Sequence, residues 1–276
     1  MNVANARPIP VKGTPRRSRG FGLTTAAVLT YLFLYLPLIV VVLYSFSATK
    51  VNAWPIKGYT FDWYRDLAAD DQIWAAIRFS TFVGLIAAAL AVVLGTLTAY
   101  ALDRYRFRGK PLIRFGIGMP IVLPGIVTGV ALLSYFTLLG WPLSRWTIII
   151  AHATFCITLV VNNVAARLSQ LPRSLDEASA DLGAPPWRTF RRITFPLIRP
   201  SIIAGGILAF TLSFDEVVVT FFLTGREKTL PLLIWGRLRR GISPEINAAA
   251  TVIIVVSLVL VFVANRILRR SGQALF

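Results

Sequence analysis

Six apolar stretches, at roughly 24–46, 74–102, 115–139, 146–167, 201–223 and 247–268, dominate the chain. A hydrocarbon core about 30 Å thick asks for about 20 such residues per helical crossing. Hydrophobic residues make up 56% of the 276 and charged residues only 15%, against about 25% charged in an average soluble chain. A soluble core of this size has no room for that much apolar surface. The expectation is an all-α, polytopic membrane protein with six transmembrane helices. The second stretch is long enough to tilt or to extend past the membrane. The first is longer than the apolar region of a signal peptide and has no small-residue cleavage site after it, so it is expected to remain as a span.

Lys and Arg total 29 against 12 Asp and Glu, a net charge of +17. In a soluble protein that balance points to nucleic acid. Here the basic residues fall in short clusters between apolar stretches, so they report topology and imply no nucleic-acid partner. Nineteen lie on one side: in the N-terminus, in the loops after the second and fourth stretches, and in the C-terminus (Arg266, Arg269, Arg270). Nine lie on the other, and the positive-inside rule then puts both termini in the cytoplasm. Residues 1–23 read as a disordered, basic cytoplasmic tail, followed by a transmembrane domain over 24–276. The last outer loop is the exception, since Arg226, Lys228, Arg237, Arg239 and Arg240 accompany only Glu227 and Glu245. It reads as a contact surface. One cysteine, Cys156, excludes an intrachain disulfide framework, and one histidine, His152, excludes a multi-histidine metal site. No GxxxxGK[ST] loop occurs, so the chain does not bind ATP by that route.

The loop 168–200, LSQLPRSLDEASADLGAPPWRTFRRITFPLIRP, is the most informative segment. Ser174 and Glu177 have capping-box spacing. Leu171, Leu175, Ala178 and Leu182 follow at helical spacing as one apolar face. Gly183 suits the left-handed C′ position that stops a helix, and Pro185-Pro186 suits a new start. Trp187, Phe190 and Ile193 would share one face of the second short helix, with Arg188, Arg191 and Arg192 on the other. Two short helices joined by a bend at the cytoplasmic surface serve either as an interfacial anchor or as a docking element.

Glu177-Ala178-Ser179, then Gly183, then nine residues to Ile193-Thr194-Phe195-Pro196, resembles the EAA motif of bacterial ATP-binding-cassette importer permeases. Ser179 replaces the second Ala and Phe195 replaces Leu. In addition, Pro120–Leu133 and Leu212–Gly225 resemble the second permease subunit of spermidine/putrescine importers. The resemblance implies a type I importer permease fold in the bacterial inner membrane. It implies a second permease forming a heterodimer, two copies of a cytoplasmic ATP-binding subunit that holds ATP and Mg, and an external or periplasmic solute-binding protein. This chain itself would carry no cofactor, no metal and no catalytic residue. Glu177, Ala178, Ser179, Gly183, Trp187, Arg188 and Phe190 would couple to the ATPase. The solute would be a polyamine or another organic solute such as an amino acid derivative or opine. The basic outer loop does not favour a polycation electrostatically.

Asp215 and Glu216 are expected just past the middle of the fifth span, within about 6 Å of the bilayer centre at about 1.5 Å per residue. A lipid-facing acid there costs about 2.5–3.5 kcal/mol, so both must face a cavity or a partner helix. Adjacent residues on a helix point about 100° apart, so one lines a pathway while the other bonds a neighbour. Asp215, Glu216 and Phe214 are the substrate-pathway candidates, with Phe210, Phe221 and Phe222 supplying cation–π surface. Asn162 and Asn163 read equally well as interhelical hydrogen-bonders. Pro120, Pro124, Gly125 and Gly129 should bend the third span. His152 and Cys156 read as a packed pair. An intramembrane protease lacks its second Asp or its nucleophile–histidine pair. A proton-coupled secondary transporter using Asp215 and Glu216 is the alternative.

Overall fold

In a computed structural model, residues 20–239, 241, 244–255 and 258 are described. The basic tail before Gly20, Arg240, the second half of the sixth stretch and the C-terminal arginines lie outside them. Among the described residues the chain is helical, with no strand and one isolated bridge between Ser47 and Tyr59. The order is α1 Gly20–Tyr44, α2 Asp62–Ala69, α3 Asp71–Arg104, α4 Lys110–Val122, α5 Gly125–Leu138 and α6 Arg145–Leu168. After these come α7 Ser174–Asp181, α8 Pro186–Thr189, a π turn over Phe190–Thr194, α9 Phe195–Asp215, α10 Val218–Leu223, α11 Leu230–Leu238 and α12 Pro244–Val255.

Among the described residues four helical runs are long and apolar enough to cross a membrane: Gly22–Tyr44, Asp71–Arg104, Arg145–Leu168 and Pro186–Asp215. The third apolar stretch is not one rod. Its halves, α4 and α5, meet at 108°. Pro124 is the cause: the proline clashes with a helical preceding residue, and Leu123 is extended with ψ 141°. Counted as one broken span, this pair is a fifth. The bend expected from the prolines is therefore present, and it is sharp.

The chain divides into two compact units, Asp66–Gly241 and one joining the residues up to Arg65 with those from Ile242 onward. In the first, α3, α6 and α9 pack on one another through small residues. On α3 the buried face runs Ala76, Ser80, Val83, Ala87, Ala91, Gly95, Ala99 and Leu102, and on α9 it runs Ile198, Ile202, Gly205, Ala209 and Ser213. Between lipid-soluble helices the apolar effect gives no net drive, so close approach of small residues supplies the packing. Val160 of α6 is the pivot. A Cβ on Gly95 would lie 2.8 Å from its Cβ, and one on Gly205 would lie 3.2 Å from its Cα. In the other unit, Tyr64 Oη lies 2.6 Å from Ser45 Oγ, Trp63 Nε1 donates to the Ser47 carbonyl at 2.7 Å, and Asn247 donates to Asn52 at 3.1 Å.

Candidate functional site

The loop after α6 folds into the expected helix, bend and helix, with three differences. First, Ser174 does not cap. The helix α7 begins one residue earlier in effect, because Arg173 already has helical angles and its carbonyl accepts from Asp176 and Glu177. The preceding Pro172, whose own carbonyl accepts from Leu175 N–H, starts the turn, so no side-chain cap forms at Ser174. Second, the stripe Leu175, Ala178, Leu182 faces outward, with Leu182 88% exposed, while Ser179 is the buried residue of α7. Its hydroxyl lies 2.8 Å from that of buried Thr189. The departure from the second Ala of the motif thus ties α7 to α8. Third, α8 is no separate surface helix. It runs through the π turn into α9, making Pro186–Asp215 one length of 30 residues. Pro196 lacks the N–H for an α bond and its ring would meet the carbonyl of Arg192. The wider turn, closed by Phe195 N–H to the Phe190 carbonyl, sits directly before it.

The bend itself is as expected. Gly183 has φ +74°, its N–H bonds Ala180 O at 2.8 Å, and Ala184 N–H bonds Ser179 O at 3.1 Å. This is a Schellman closure, followed by Pro186 at the first position of α8. Trp187 is 67% exposed and stacks on half-buried Phe190 at 5.7 Å. Phe190 in turn meets Tyr100 of α3 edge-on at 4.9 Å. Glu177 and Arg188 are exposed. Arg104, at the end of α3, forms an ion pair with Asp176 at 2.9 Å. The loop is therefore anchored to α3 and continuous with α9, while Leu175, Leu182 and Trp187 remain uncovered.

The second candidate site is a break. Asp215 and Glu216 do not sit midway along a continuous helix: α9 ends at Asp215, Glu216 is extended with ψ 118°, and α10 starts at Val218. The estimates of depth and of a 100° separation, which assumed an unbroken helix, do not apply. Glu216 Oε1 accepts from Val219 N–H at 2.9 Å and so caps α10, and its carbonyl accepts from the Thr220 hydroxyl at 2.9 Å. Asp215 is exposed. His152 of α6 lies fully buried across the break, with Nδ1 2.7 Å from Ser213 Oγ and Nε2 2.9 Å from Thr220 Oγ1. It is not merely packed against Cys156, whose thiol donates separately to Ala209 O at 3.2 Å. Periodicity gave no sign of this role. The one available signal was a lone histidine in an apolar span, which needs polar partners.

Phe214 is half-buried and tilts against Phe210 at 5.7 Å. Phe222 packs where a Cβ on Gly129 would lie 2.6 Å from its ring, and Val218 lies 3.4 Å from that of Gly125, so α5 and α10 meet through glycines. Asn163 donates to Leu159 O of its own helix at 2.9 Å. In the basic segment 226–239 one arginine, Arg237, is paired with an acid. Arg237 bonds Asp70 at 2.6 Å, Glu227 pairs with Arg145 at 3.4 Å, and Arg239 lies 5.6 Å over the Trp235 ring. Burial pushes the Asp70 carboxyl up, but Arg237 and the N–H groups of Ile73 and Gln72 outweigh it and hold it below the ordinary value of 3.8. No cluster of three metal-ligating side chains occurs among the described residues.

Residues 91–276 match the family described as binding-protein-dependent transport system inner membrane component. The chain is 41% identical over 255 residues to the putrescine transport system permease protein PotI of Escherichia coli K12, covering 89% of this chain and 90% of that protein. It is 40% identical over 241 residues to the spermidine/putrescine transport system permease protein PotC of the same strain, covering 87% and 90%. In fold it is similar to a bacterial alginate ABC transporter in complex with an alginate pentasaccharide-bound periplasmic protein. The TM-score is 0.71 and the identity 18%, over 92% of this chain and 94% of that one. The chain therefore belongs to the binding-protein-dependent transport-system inner-membrane components, multi-pass membrane proteins with the all-helical fold of type I ABC importer permeases.

Proposed function

We propose that this chain is the transmembrane permease subunit of an ATP-driven importer, forming half of the pathway for a polyamine such as putrescine or spermidine. In this reading it has six spans with both termini cytoplasmic, a basic tail over 1–23 and a permease domain over 24–276. It pairs with a second, different permease, two ATP-binding subunits that hold ATP and Mg, and a solute-binding protein outside the membrane. The names of PotI and PotC support the solute class. Cationic amines also suit the exposed Asp215 beside Phe214. The pairing of Arg237 with Asp70 removes part of the objection that the outer loop repels a polycation.

The observation that carries the coupling role is the exposure of Leu182 and Trp187 on a bend closed by backbone hydrogen bonds. A soluble surface has no use for such residues, whereas an ATPase cleft does. Glu177, Ala178 and Arg188 border this patch, and Ser179 and Phe190 hold its shape. When ATP draws the two ATPases together, the loop moves with them. The motion passes to α3 through Arg104–Asp176 and along the 30-residue run to Asp215, about 45 Å at about 1.5 Å per residue. Reconstitution tests it: the purified chain should hydrolyse no ATP, while co-expression should recover a complex with an ATPase and a second permease that takes up putrescine when ATP is inside the ATPase compartment. Hydrolysis by the isolated chain would overturn the assignment.

A further inference from the structure

Neither glycine nor proline stops the helix at Glu216, and the local bonds there, from Val219 N–H and the Thr220 hydroxyl, only dress the break. Asp215, Glu216 and Val217 include no glycine or proline, and the break requires one non-helical ψ, at Glu216. A helix interrupted without such residues leaves unpaired carbonyl and N–H groups at both ends, and the interruption persists only where tertiary contacts over-determine it. The contacts here converge on His152. Thr220 donates to Glu216 O, so its oxygen accepts from the ring Nε2–H, and the Ser213 hydroxyl then donates to Nδ1. A single neutral tautomer satisfies every partner, an assignment that follows from the network. Ser213 closes the last turn of α9 and Thr220 lies in the first turn of α10, so one rigid ring holds both sides. With the Glu216 carboxylate committed to Val219 N–H, Asp215 is the acid left exposed.

We infer that His152 is a positioning residue for solute selection: by clamping Ser213 and Thr220 it fixes the break at Glu216 and thereby the direction of the Asp215 carboxylate. The inference rests on reading Asp215 as the pathway acid. It divides the two carboxylates, with Glu216 as the cap that keeps α10 in place and Asp215 as the group that meets the solute.

The test uses the assembled importer in proteoliposomes, with putrescine as the probe. The Asn amide reaches only the place of Nδ1 and the Gln amide only that of Nε2, so each keeps one of the two bonds. His152→Asn and His152→Gln should each raise the half-saturating putrescine concentration about fivefold, the size of one neutral hydrogen bond, with a much smaller change in maximal rate. Ser213→Ala and Thr220→Val, which leave the ring's packing untouched, should do the same and keep the test open if a His152 variant fails to assemble. In an Asp215→Asn background His152→Asn should add nothing further, whereas a merely structural role would add its full effect and would overturn the inference. Spin labels at exposed Ile207 and Phe221 read the break directly. His152→Asn should broaden their distance distribution, and an unchanged distribution would overturn the clamp. Unchanged uptake and selectivity in Asp215→Asn alone would instead overturn the pathway reading, while the label distances still judge His152 by themselves.

Discussion

The chain interrupts its helices at Gly183 and at Glu216 by opposite means. At Gly183 the backbone does the work: a positive φ, two backbone hydrogen bonds and a proline restart, with apolar side chains left outside. At Glu216 side chains do the work: a buried histidine, two hydroxyls and a carboxylate hold ordinary residues in a break, with one acid left exposed. The first is a local, rigid shape suited to being gripped from outside. The second depends on a neighbouring helix, so it shifts only when α6, α9 and α10 shift relative to one another.

The largest effect is expected at Gly183. A Cβ there would meet nothing within 4 Å, so substitution tests the backbone alone. A β-branched residue in a left-handed conformation costs about 1–2 kcal/mol. Gly183→Val should abolish uptake while membrane insertion is retained, and Gly183→Asn, which tolerates positive φ, should keep most of it. Equal loss in both variants would show that φ is not what matters. Trp187→Ala comes next. Because the ring is mostly exposed, the melting temperature of the isolated permease should barely move, whereas co-purification of the ATPase should fall as an aromatic anchor is lost.

At the other interruption, Glu216→Gln and Asp215→Asn should separate. Losing the charged cap on α10 should lower thermal stability by about 1 kcal/mol. Asp215→Asn should leave the melting temperature in place, slow putrescine uptake and weaken the preference for cationic over neutral solutes. Reversed outcomes would exchange the roles of the two acids.

The bend at Gly183 is legible in the sequence because its signals are adjacent: a helical stripe, a glycine and two prolines within a dozen residues. The same signals put the cap at Ser174, whereas Pro172 sets the start of α7 from before it. They also mark α8 as separate, whereas the π turn before Pro196 joins it to α9. The outward face of Leu175 and Leu182 was legible as apolar but not as uncovered, because periodicity says which residues share a face and not what lies against it. The break at Glu216 was not legible at all. The groups that hold its two sides together sit 61 and 68 residues from His152 in sequence, and hydropathy runs through Asp215 and Glu216 as if the helix continued. Among the described residues four of the apolar stretches lie in helices long enough to span, the third is broken at Pro124, and only the first half of the sixth is described.

The smallest expected effect lies at the Asp70–Arg237 pair, which ties α11 to the start of α3. The Asp70 carboxyl is held below its ordinary value of 3.8. Its contribution is therefore fully present above that pH and is lost as pH falls through the lower, folded-state value. The difference in melting temperature between wild type and Asp70→Asn should be constant at neutral pH and shrink only in acid below that value. A difference that shrinks on going from neutral to alkaline pH would contradict the pairing.

The most direct measurement is putrescine accumulation by the reconstituted importer, with ATP and a proton gradient supplied separately, in wild type and Gly183→Val. Uptake should require ATP, ignore the gradient and vanish in Gly183→Val although the protein is still inserted. Accumulation driven by the gradient without ATP, or ATP-driven uptake that survives Gly183→Val intact, would contradict coupling through this loop.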